Sequence, residues 1–163
     1  LPARRAAGYI PRVSTLAEQI LVEPTRERVV AECVPLIDSE VKSKGGMGGI
    51  AVRTAYATIK TIKKGFIRDV VDALLDDWVG KMEPYYETWN GAGRTTSFTD
   101  YLVARSDDVA DALLEVTDER AASTRHKTAG KAYKKIRGGA KDHVATAVPG
   151  LAALVERHLK PAA

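Results

Sequence analysis

The chain has 163 residues, with 25 Lys and Arg, 21 Asp and Glu, and one cysteine. That is the size of one domain, and 45% apolar with 28% charged residues is globular composition rather than disorder. A single cysteine excludes an intrachain disulfide. No apolar run is long enough to span a membrane and no basic-then-apolar leader opens the chain, so a cytoplasmic protein is expected.

Residues 1–13 hold Arg4, Arg5, Arg12, two prolines and Gly8 without periodicity, and read as an irregular arm. Ser14 stands where it can cap a short helix carrying Leu16, Ile20 and Leu21. Val29, Val30, Cys33, Leu36, Ile37 and Val41 recur at helical spacing and predict a helix over about 25–42, kinked at Pro35 and ended by the glycines of 45–49. Val52, Ala55, Tyr56, Ile59, Ile62, Phe66, Val70, Leu74 and Trp78 then form the seam of one long helix, which Gly65 softens without breaking. Residues 84–93 read as a long loop. Ser97-Phe98-Thr99-Asp100 resembles a capping box, and Ser106-Asp107-Asp108 opens a helix lined by Val109, Ala112, Leu113 and Val116. From Ser123 another helix carries Tyr133, Ile136, Ala140 and Ala147, and Pro149 starts a last one with Leu151, Leu154, Val155 and Leu159. No segment alternates as a strand does. The expected fold is all-α: a single-domain helical bundle over 14–159, with 160–163 as a frayed tail.

Two stretches of the chain look alike. Residues 29–38 match 109–118 in apolar placement, Ala55-Tyr56 with Ile59-Lys60 matches Ala132-Tyr133 with Ile136-Arg137, and Arg68-Asp69 with Val71 matches Lys141-Asp142 with Val144. The offsets are 80, 77 and 73, and the last step of four is about one helical turn, which keeps the same face inward. One reading is a pseudo-twofold duplication of a helix, a connector and a long helix. The other is the general likeness of amphipathic helices.

Charge is segregated along the chain in the order basic, acidic, acidic, basic. Arg53, Lys60, Lys64 and Arg68 share one helix face, and Lys127, Lys131, Lys134 and Lys141 share another. Such rows suit an anionic partner, whether acidic protein, nucleic acid or an anionic membrane surface. They also suit pairing within the fold, with Asp72, Asp76, Asp111 and Glu115 as the nearest candidates. Tyr85, Tyr86 and Trp89 open the expected loop and suit a partner surface, or they fold back over the bundle end. The glycines at 45–49, with Lys42 and Lys44 beside them, could admit a phosphate, but a helix rather than a strand precedes them, so an interhelix hinge is the better reading.

Catalytic material is sparse. His126, His143 and His158 are scattered without metal-ligand spacing, so no metal site, cofactor or catalytic set is expected. His143 falls on the apolar side of its helix, and Cys33 sits on a buried seam as a small hydrophobe. Asp107, Asp108 and Asp111 fit the first turn of a helix better than a cation site.

The block from Gly45 through Arg53 to Tyr56, running on to Asp76-Asp77-Trp78, resembles an uncharacterised family of small helical actinobacterial proteins. The resemblance extends over about 16–159. It implies a compact helical protein and carries no activity. Two functions are weighed. The first is a non-enzymatic binding or adaptor protein that uses its charged faces, with a protein partner or self-association foremost. The alternative is a small-molecule binder or enzyme with a pocket between the two half-repeats. A deep cleft lined by Tyr56, Tyr133 and His143 would favour the alternative, and a filled core the adaptor.

Overall fold

Thr15, one residue after the expected Ser14, caps the first helix by accepting a hydrogen bond from the Glu18 amide at 3.1 Å. The computed structural model describes residues 14–162, so the expected arm over 1–13 lies outside the described residues. Among the described residues seven helices follow in order: α1 Leu16–Ile20, α2 Thr25–Ser43, α3 Gly46–Lys60, α4 Phe66–Gly91, α5 Phe98–Val103, α6 Ser106–Ser123 and α7 Lys127–Arg157. Among the described residues there is no strand, and the fold is all-α. No helix among them is long and apolar enough to cross a membrane.

Several boundaries differ from the sequence reading: α3 starts at Gly46, within the glycines read as a break, and α7 starts at Lys127 rather than Ser123. The long helix expected through Gly65 breaks there: Gly65 takes φ +75°, a left-handed conformation open to glycine, and α4 starts at the next residue. The loop expected over 84–93 is instead the end of α4, and the helix expected to restart at Pro149 is one continuous α7. Pro35, Pro84 and Pro149 all stand on exposed positions inside their helices. There the carbonyl that each leaves without a donor can meet water, so the helix continues through the proline.

The core draws on six helices. Leu16 and Ile20 meet Val29, Val30 and Cys33, the α4 face from Val71 to Trp89, Phe98 and Leu102, Val109 and Leu113, and Val148 to Val155. α7 packs on α2, α3, α5 and α6 and ties the bundle together. The chain end is fixed as well. The Lys160 amide donates to Gln19 at 2.8 Å and its carbonyl accepts from Arg94 at 2.9 Å, so Lys160 is anchored where fraying was expected.

Two pairs of polar contacts resemble one another. Asp38 accepts from the Tyr56 hydroxyl and from Lys60 at 3.4 Å. Asp118 accepts from the Tyr133 hydroxyl at 2.6 Å and from Arg137 at 2.7 Å. Glu83 caps α1 by accepting from the Leu16 amide at 2.8 Å, and Glu156 caps α5 by accepting from the Thr99 amide at 2.6 Å. These carboxylates lie 80 and 73 positions apart, the first and last offsets of the sequence match.

Candidate functional site

Small residues where the helices converge leave room between them. Cys33 of α2 and Ala147 of α7 are short, and Gly150 brings α7 close to α2: a Cβ there would come within 2.8 Å of Leu36 Cδ1. Between α2, α4, α6 and α7 lies an apolar cavity of about 310 Å³, partly open to solvent. Its wall includes Ile37, Leu75, Trp78, Leu113, Val144 and Leu151. Protein interiors are close-packed, and an engineered void of about 150 Å³ already takes up benzene.

Four residues with polar side chains, Glu40, Lys44, Thr117 and His143, belong to a lining that is otherwise apolar. Lys44 ends α2 with its side chain only 8% exposed; its ammonium donates to the His143 carbonyl at 3.1 Å and lies 3.6 Å from Glu40. All three residues line the cavity. An ammonium has three N–H donors and one is spent on the carbonyl. The His143 imidazole makes no hydrogen bond among the described residues. It lies between Gly48 and Gly139, where an added Cβ would stand 3.7 and 3.8 Å from Nε2. Gly49 lets α3 begin directly over Lys44, since a Cβ there would fall 2.5 Å from the Lys44 carbonyl oxygen. The glycines expected to act as an interhelix hinge are instead the N-cap and first turn of α3. Cys33 is the free, buried thiol of the wall, and burial followed by the Glu32 charge pushes its pKa up to about 11.

The residues singled out in the sequence are dispersed around this cavity. Of the first basic row, Arg53 donates to the Lys44 carbonyl, Arg68 pairs with Glu27, and Lys60 pairs with Asp38 while lying 5.2 Å over the Tyr56 ring. Lys141 pairs with Asp111 at 2.9 Å. Lys64, Lys127, Lys131 and Lys134 are exposed and make no ion pair among the described residues. Of the other acids considered, Asp72 and Asp76 engage Arg26, and Glu115 engages Lys81 at 2.7 Å.

The aromatic cluster is corrected by the length of α4. Continuing the helix to Gly91 turns Tyr86 and Trp89 inward, 2% and 6% exposed, where they pack edge-on and tilted against Phe98 rather than form a surface; Tyr85 is half-buried. Tyr56 and Tyr133 are held by Asp38 and Asp118 and do not line the cavity, whereas His143 does. No group of three His, Cys, Asp or Glu among the described residues is placed to hold a metal ion.

Lys44 was legible in the sequence only as a neighbour of the glycines. The signal for its role was a lysine in the apolar register of α2, one turn after Glu40 and three residues after Val41.

The fold and site define an all-α bundle with an apolar cavity between its helices. The chain belongs to a family of unknown function (DUF6918), which matches residues 16–159. No curated protein and no solved structure matches it.

Proposed function

We propose that this protein is a binding protein for a small apolar molecule, which sits in the cavity between two duplicated halves of the chain. The observation that carries the reading is an apolar void of about 310 Å³ between the helices, partly open to solvent. Ligand sites of roughly 300–1,000 Å³, mostly apolar with a few placed polar groups, are the usual form of small-molecule pockets, and bundles build them between facing helices.

The duplication is supported by the paired contacts of Asp38 and Asp118 and of Glu83 and Glu156. The four-residue step in offset falls at 61–65, where the first half breaks into α3 and α4 and the second continues as α7. Divergence then accounts for a site in one half alone. Gly139 leaves the His143 ring uncovered, while 73 positions earlier Phe66 packs edge-on against His126 at 4.9 Å. The cytoplasmic setting expected from the sequence belongs to the same proposal.

Titration with the apolar fluorophore N-phenyl-1-naphthylamine tests the reading. The parent protein should bind one equivalent with a large rise in emission. Ala147→Phe, which puts a ring into the cavity, should abolish the signal while keeping the helical circular dichroism. Equal emission from both proteins would place the fluorophore elsewhere and contradict the proposal.

A further inference from the structure

We infer that α3 and the first half of α7 form a docking face for an anionic lipid membrane, with Met47 and Ile50 entering the headgroup region and the α7 lysines meeting the lipid phosphates. None of these residues lines the cavity, so the face and the cavity stand or fall separately.

The face arises where acids are missing. From Val41 to Arg68 the chain has seven Lys and Arg and no acid, and from Arg120 to Lys141 it has eight and none. The fold packs these two stretches together as α3 and α7, with Gly48 of α3 against the His143 ring of α7. Arg137 and Lys141 turn to Asp118 and Asp111 of α6, and His143 marks the side of α7 towards α3. Lys127, Lys131, Lys134 and Lys135 fall on the outward arc between those two sides, about 100° wide. All four are exposed and make no ion pair among the described residues. Asp142 is the first acid beyond the row.

α3 supplies the apolar part. Its two cations are drawn towards α2, where Arg53 donates to the Lys44 carbonyl and Lys60 pairs with Asp38. The side left in solvent carries Met47, Ile50, Ala51, Thr54, Ala57 and Thr58, an arc of about 120° without a charge. Met47 is 88% exposed and Ile50 57%, one turn apart on the same face.

Charge selects the occupant. A row of cations without acids attracts an anionic surface and repels a second copy of itself. Apolar side chains exposed beside lysines match a membrane interface, where the phosphates meet the lysines and the acyl boundary takes up Met and Ile. A single-stranded nucleic acid would stack its bases on exposed aromatic rings. The tyrosines of these two helices, Tyr56 and Tyr133, are instead held by Asp38 and Asp118.

Vesicle flotation tests the face, with phosphatidylcholine alone and with one third of it replaced by phosphatidylglycerol. The parent should bind the anionic vesicles, not the neutral ones, and should be released as salt rises from about 0.1 M to about 0.5 M, which shortens the screening length. Lys131→Ala with Lys134→Ala should weaken binding at least about tenfold, since each lysine near an anionic surface contributes about fivefold. Met47→Ser with Ile50→Ser should weaken it by about tenfold and keep its salt dependence. The four positions are exposed, so both variants should keep the parent's urea midpoint. No binding to anionic vesicles, equal binding to the two vesicle types, or anionic binding kept by either variant would overturn the assignment. Tighter binding of oligothymidylate than of vesicles, unaffected by the serine changes, would also overturn it and make nucleic acid the partner.

Discussion

Asp38 and Asp118 each accept from a tyrosine hydroxyl and from a basic side chain one turn further along the same helix. The Tyr56 hydroxyl first, then Lys60, holds the Asp38 carboxyl below the usual carboxylate range. Arg137 first, then Tyr133, does so for Asp118. The tyrosines are raised in turn, chiefly by burial and then by the hydrogen bond to the carboxylate. Glu32 is lowered likewise by its hydrogen bond from His158 at 2.8 Å. A group with a depressed folded pKa binds fewer protons folded than unfolded near pH 4. Its contribution is therefore present above the unfolded pKa of about 4 and lost as the pH falls through the folded value. Tyr133→Phe should lower stability by about 1–2 kcal/mol at pH 7, the range for a partly exposed hydrogen bond to a charge. The loss should shrink as the pH falls below about 4, because a protonated Asp118 gains less from the phenol. Urea unfolding at pH 7 and pH 3 checks this, and a cost that is the same at both would contradict it.

At the scale of the element, helix existence was legible and helix ends were not. The spacing of Val29, Val30 and Cys33 and the Ser97 cap, which accepts from the Asp100 amide at 3.0 Å, read correctly because each is a local signal. Pro84 and Pro149 misled, since a proline's effect depends on whether its helix face meets solvent, a property of the packed bundle. Gly65 misled in the other direction, because its φ is set by the turn between α3 and α4 and not by propensity. Half of the basic positions found partners on neighbouring helices, which sequence spacing could not assign. Lys131 and Lys134 point to solvent with no ion pair among the described residues, so Lys131→Ala with Lys134→Ala should change stability by no more than about 0.5 kcal/mol. A loss above about 1 kcal/mol in urea unfolding would mean that these lysines are engaged.

At the scale of the whole molecule, the cavity arises where α2, α4, α6 and α7 meet, and no single stretch of sequence announces it. Its lining residues belong to apolar seams that read as ordinary core, and Cys33, Trp78 and Ala147 become a wall only when α2, α4 and α7 face one another. His143 shows the same limit. Its apolar register suggested a satisfied core histidine, but Gly48 and Gly139 flank a ring without a hydrogen-bond partner among the described residues. The central claim is that this space receives an apolar molecule. A crystal structure of the protein grown with N-phenyl-1-naphthylamine tests it most directly. The account predicts continuous density for one molecule beside Cys33, Trp78 and Leu151, with no displacement of α2 from α7. An empty cavity, or a wall collapsed so that Trp78 meets Leu151 and Cys33 across it, would contradict the account.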